Sequence, residues 1–100
     1  SDVAISIPET FSVRDAYPNP FNPNTTLSFS MPYSNHVNLS IYDMNGRLIN
    51  TLVNEIITEG YHSVNWNGLD MNGNSVSSGM YIYTIQSDNI SITKKMVLMK

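Results

Sequence analysis

The run Asp70-Met71-Asn72-Gly73-Asn74 sets side-chain oxygens at alternate positions, as the start of a calcium loop does. An EF-hand loop starting at Asp70 requires glycine at position 75 and a bidentate glutamate at 81. Those positions hold Ser75 and Tyr81, so the run reads as a polar turn. His36 and His62 stand without a cysteine or carboxylate at ligand spacing. His62 shares parity with Val64 and Trp66, which puts it at the margin of a core. No G-x-S-x-G elbow activates any serine, and the acidic residues are scattered, with Asp43 and Asp70 in turns and Glu55 and Glu59 in a loop. The expectation is a protein that is not an enzyme and holds neither metal nor cofactor.

Composition narrows the class further. The 100 residues suit one domain with a modest core. Charged residues make up 13% of the chain, roughly half the usual share, while 13 Asn and 13 Ser supply neutral polarity of an extracellular kind. Net charge is −3 and no basic cluster exceeds Lys94-Lys95, which argues against nucleic acid. No apolar run approaches the ~20 residues of a membrane span. Cysteine is absent, so disulfides are too. Three Asn-x-Ser/Thr sequons, at Asn24, Asn38 and Asn89, are about what this composition produces by chance. The start SDVAISIPET lacks methionine, which suggests a piece of a longer protein with any export signal upstream.

The elements that must position these residues are strands. Leu27, Phe29 and Met31 alternate with serines; Val37, Leu39 and Ile41 alternate with Asn38 and Ser40; His62, Val64 and Trp66 alternate with Ser63 and Asn65. Residues 80–85 and 96–99 are apolar on both faces, as central or covered strands are. Arg47 to Val53 is mixed and admits a bulge. With a short edge strand at 11–14, about seven strands result, and no segment holds a helical period. The tetrapeptide Asp-Met-Asn-Gly occurs at 43–46 and 70–73, with flanks that do not match, so turn chemistry explains it better than a domain repeat. Asn45-Gly46 is expected to form a type I′ turn joining strands 36–43 and 47–53. A second hairpin is expected at residues 87–89, pairing 80–86 with 90–98. Seven short strands without helices fold as two packed antiparallel sheets, with residues 1–10 as a linker and 11–100 as the domain.

Trp66 is expected in the core and Tyr42 as the best exposed aromatic, too little for a sugar-stacking platform. Tyr17-Pro18-Asn19-Pro20-Phe21-Asn22-Pro23 is a stiff lead-in, because each proline fixes φ and restricts the residue before it. Asn19 and Asn22 can bond nearby backbone, and Phe21 can plug the core edge. Such a segment also blunts an edge against strand addition.

YPNPFNPNTTLSFSMP, the Asn45-Gly46 hairpin, W-N-G-x-D-x-x-G (Trp66, Gly68, Asp70, Gly73), the G-x-Y of Gly79 and Tyr81, and a lysine-bearing last strand follow one another in order. Together they resemble the C-terminal sorting domain of type IX secretion cargo. The run WNGLDMNGNSVSSGMY is also similar to the immunoglobulin-like domain of flagellar hook-capping proteins. The resemblance spans about Phe11 to Lys100 and implies an immunoglobulin-like antiparallel β-sandwich. It implies a signal that guides upstream cargo in the same chain through the periplasm and the type IX translocon of Bacteroidetes-type bacteria. The cargo then reaches the medium or outer-membrane surface, and a sortase-like peptidase commonly removes the signal, here within or before residues 1–10. Sorting determinants, on this resemblance, fall at Gly79, Tyr81, Lys94, Lys95 and Lys100. Where the family has Trp-Asp-Gly this chain has Trp66-Asn67-Gly68. Two rival readings stand beside it: a retained extracellular module that binds carbohydrate or protein, and a structural spacer.

Overall fold

A computed structural model describes residues 7–100. Of the expected linker, residues 1–6 lie outside the described residues, and 7–10 form no strand. Seven strands follow: β1 (Ser12–Val13), β2 (Thr25–Met31), β3 (Asn35–Asp43), β4 (Leu48–Ile57), β5 (Gly60–Trp66), β6 (Gly79–Ser87) and β7 (Ile90–Leu98). There is no helix among the described residues. Every strand pairing is antiparallel, in a three-stranded sheet ordered β1-β2-β5 and a four-stranded sheet ordered β4-β3-β6-β7. This is the expected immunoglobulin-like sandwich. Its fourth strand pairs with the third, whereas in the constant-type arrangement it joins the sheet of the first, second and fifth.

Period-two patterning builds the core as expected. Leu27, Phe29 and Met31 from one sheet meet Val37, Leu39, Ile41, Tyr83, Ile85, Met96 and Leu98 from the other, all buried. Trp66 is 1% exposed and its indole Nε1 donates to Leu69 O at 2.9 Å, so the one polar atom of this large side chain is satisfied. His62 is half-buried, stacked on Phe29 with ring centroids 5.5 Å apart. The mixed pattern of β4 reflects register shifts against β3 between Leu39 and Ser40 and between Ile41 and Tyr42.

One turn expectation needs correction. Gly46 has φ 83°, but Asn45 does not have positive φ, so the turn is not type I′. Asp43 O accepts from Gly46 N–H, Asp43 N–H donates to Arg47 O, and Asp43 Oδ1 accepts from the N–H groups of Asn45 and Arg47. That set describes a type I turn closed by a glycine bulge, held by the aspartate. The second Asp-Met-Asn-Gly repeats it bond for bond: Asp70 O takes Gly73 N–H, Asp70 N–H goes to Asn74 O, and Asp70 Oδ1 takes Asn72 and Asn74 N–H. The third turn places Asp88 at φ 58° between Ser87 and Ile90, as expected for a two-residue hairpin loop. Tyr42, expected exposed, is half-buried, because its cross-strand neighbours Leu48 and Ile82 flank it on a central strand.

Candidate recognition surface around the last strand

β7 ends the four-stranded sheet, so of the two alternatives its apolar run left open, central or covered, it is the covered one. What covers it is the proline segment. Tyr17 pairs with Thr26 of β2, and four residues later Phe21 lies in a parallel bridge with Leu98 of β7. The segment thus crosses from one sheet to the other over the ~10 Å between stacked sheets. Thr25 Oγ1 anchors it by donating to Pro18 O at 2.8 Å.

On β7 the segment takes up the outward backbone groups one after another. Phe21 N–H donates to Val97 O and Met99 N–H donates to Phe21 O, both at 2.9 Å. Asn19 fills the position where proline offers no donor: its Oδ1 accepts from Val97 N–H at 2.9 Å and its Nδ2 donates to Lys95 O at 3.4 Å. Asn19 therefore acts as a strand residue through its side chain. The edge from Lys95 to Met99 is already occupied, which rules it out for pairing with another chain's backbone. By the alternation of the strand, Ser91 and Thr93 also face outward, beyond the reach of Asn19 and Phe21.

The motif residues converge beneath this clasp. Phe21, 2% exposed, packs on Trp66 with ring centroids 5.6 Å apart. Trp66 meets Tyr81 edge-on at 5.4 Å, and the Tyr81 hydroxyl donates to Ser77 O at 2.6 Å. Gly68, at φ 74°, sits where a Cβ would stand 3.5 Å from Pro23 O and 3.6 Å from Leu98 Cδ2. Gly79, at φ 153°, opens β6 opposite Leu98. The lead-in, W-N-G, G-x-Y and the last strand thus form one packed unit. Asn67, where the family pattern has Asp, is exposed.

The five expected determinants have different surroundings. Tyr81 is a core residue with its ring buried, whereas Gly79 opens β6 with free space where a Cβ would stand. Lys94 leans inward and pairs with Asp15 at 2.9 Å. Lys100 reaches Ser75 Oγ and Val76 O, and its N–H donates to Ser78 Oγ at 3.0 Å, tying the chain end to the loop before β6. Lys95 stands exposed on the opposite face from Lys94. The lysines form no single patch. Burial, first, pushes the Tyr83 hydroxyl up to about 12, and that hydroxyl donates to Arg14 O at 3.0 Å. The Arg47 N–H, as first cause, holds the Asp43 carboxyl below its ordinary value.

Asn19 bonds backbone as expected, but its partners are on β7, 76 and 78 residues away, and not in the neighbouring chain, and no local signal marks them. Sequence reasoning missed Asp43, although aspartate three residues before a turn glycine is a legible signal. Among the described residues no three His, Cys, Asp or Glu gather as a metal site. The exposed tyrosines are Tyr17, Tyr33 and Tyr61; Tyr33 bonds Asp88 at 3.0 Å.

The family described as secretion system C-terminal sorting domain matches residues 15–99. The chain belongs to that family. The sorting domain is accordingly a type IX secretion signal, of the class that directs export to the cell surface or medium. Its fold is shared with PorZ, an essential bacterial surface component of the type IX secretion system of Porphyromonas gingivalis, at 24% identity and TM-score 0.64, over 88% of this chain and 11% of that one. It is shared also with dimeric latent PorU from the same organism, at 20% identity and TM-score 0.66, over 98% and 10%. The sorting domain spans about a tenth of the length of these two proteins. A more remote likeness is to the alkylpurine DNA glycosylase AlkC of Pseudomonas fluorescens, at 13% identity and TM-score 0.54, over 85% of this chain and 28% of that one. No curated protein sequence matches the chain.

Proposed function

We propose that this domain is a non-catalytic signal that takes cargo in the same chain from the periplasm through the type IX translocon, and that a sortase-like peptidase then removes it upstream of residue 11. The family match over residues 15–99 carries the reading. The structure supports it by showing that the motif residues make a packed unit around Phe21, Trp66 and Tyr81, so the signal is a folded shape. Recognition then reads the surface of β7 about Lys95, with Gly79, Tyr81, Lys94 and Lys100 holding that surface in place. Main-chain pairing by the translocon is confined to residues 90–94 of the edge.

Deleting residues 11–100 from the natural protein tests the reading. The expected result is cargo held in the periplasm, with the cargo still folded. Unchanged export of the shortened protein overturns it. In the intact protein, Lys95→Glu is expected to lower export while thermal stability stays unchanged. Export equal to that of the unmodified protein removes Lys95 from the recognised surface.

A further inference from the structure

The outer face of the three-stranded sheet carries a pattern that packing does not require. Down its middle β2 turns Thr26, Ser28 and Ser30 outward, opposite in direction to its core residues. On one flank Ser12 lies opposite Ser30, Arg14 donates its N–H to Ser28 O, and Tyr17 pairs with Thr26. On the other flank Tyr61, Ser63 and Asn65 lie opposite the same three residues. Short side chains in the centre and taller Arg14 and Tyr61 beside them leave a hollow of about 210 Å³. Its floor is hydroxyl: buried Ser30 donates to Thr10 O at 3.1 Å and takes the Ser12 hydroxyl, and Ser28 bonds Ser63 at 3.0 Å. A hydroxyl can donate once and accept twice, so Ser12, Ser28 and Ser63 keep capacity for a ligand.

Charge and shape decide what fits. The hollow is lined by Arg14 and by no carboxylate, and the His62 ring at its margin stacks on Phe29 and bonds Thr58 O. Three other hollows on the domain each include Asp or Glu, as expected of a chain with eight acidic residues against five Lys and Arg. Arg14 has no ion-pair partner among the described residues, and a guanidinium matches a carboxylate in a two-pronged bond. Tyr61 is 62% and Tyr17 80% exposed, offering apolar ring faces beside polar groups. They flank opposite ends of the trough, four residues apart along β2 and so about 13 Å, the reach of a short oligosaccharide. We propose that this face binds a carboxylate-bearing oligosaccharide, with Arg14 on the carboxylate, the serines on sugar hydroxyls, and Tyr17 and Tyr61 stacked on sugar rings.

The experiment is calorimetric titration and amide-resolved NMR of the chain with tri-galacturonate, maltotriose and sodium acetate. Tri-galacturonate is expected to bind, with shifts centred on residues 12–14, 28–30 and 61–63, and about tenfold more tightly than maltotriose. Arg14→Ala is expected to erase that preference, and Tyr61→Ala to weaken both sugars; both residues are exposed, and near-ultraviolet circular dichroism verifies the fold. Absence of binding by any probe overturns the proposal. So does acetate binding as well as the trisaccharide, or an Arg14→Ala variant that keeps the preference.

Discussion

Phe21 and Leu98 lie side by side in a parallel bridge, joining the proline segment near the start of the domain to the strand at its end. The sandwich is closed at that seam by two backbone bonds from Phe21 and two side-chain bonds from Asn19. The prolines make physical sense there. A stiff segment loses less entropy on spanning the two sheets, and the asparagine between the prolines supplies one side-chain donor and one acceptor to β7.

Phe21→Ala removes a buried ring from against Trp66 while leaving the backbone bonds available. The expected cost is about 3–5 kcal/mol, read as a lower urea midpoint with an unchanged slope. A loss below about 1 kcal/mol shows that the seam does not support the core.

Asn19→Ala leaves Val97 N–H and Lys95 O without their partners. Both bonds are exposed, so the expected cost is about 0.5–1.5 kcal/mol, together with faster hydrogen exchange at Val97 N–H. Asn19→Asp keeps the acceptor for Val97 and loses the donor to Lys95, so it is expected to restore Val97 protection in part.

The paired turns give a pH prediction through Asp43. Its carboxyl is held below the ordinary value, chiefly by the Arg47 N–H, so the folded state binds its proton less readily than the unfolded state. The stabilisation is complete above the unfolded value near 3.9 and is lost as pH falls through the lower folded value. Asp43→Asn is expected to flatten the stability profile below about pH 4, measured by thermal melts. Asp70→Ala, which strands the N–H groups of Asn72 and Asn74, is expected to cost about 1–2 kcal/mol.

Tyr83 sets the alkaline limit. Burial raises its hydroxyl to about 12, above the unfolded value of 10.0, so its stabilisation is whole below about pH 10 and is lost as pH rises toward 12. Absorbance titration is expected to show one tyrosine ionising with unfolding, and Tyr83→Phe is expected to abolish that step.

Much of this was legible in the sequence. Alternation located the strands, and the apolar parity of Trp66 and His62 placed both correctly, because side-chain period in a half-buried strand is a local property. The apolar run of β7 left a central and a covered strand both open, because it describes burial of faces and says nothing about which neighbour pairs with the backbone. The Asp-Met-Asn-Gly turns were read from their last two residues, although the first, Asp43 or Asp70, chooses the turn type by holding two N–H groups. Tyr42 was read from parity alone, while its exposure depends on Leu48 and Ile82 across the sheet. The resemblance identified the motif segments; that they meet around Trp66 is a fact of the three-dimensional structure.

The most direct measurement appends residues 1–100 to an exported periplasmic reporter, in a type IX-competent bacterium and in a translocon-null strain. The expected result is reporter on the surface or in the medium of the competent strain alone, with mass spectrometry placing the cut upstream of residue 11. Reporter held in the periplasm of both strains, attached to a folded domain, contradicts the claim that this fold is a sorting signal.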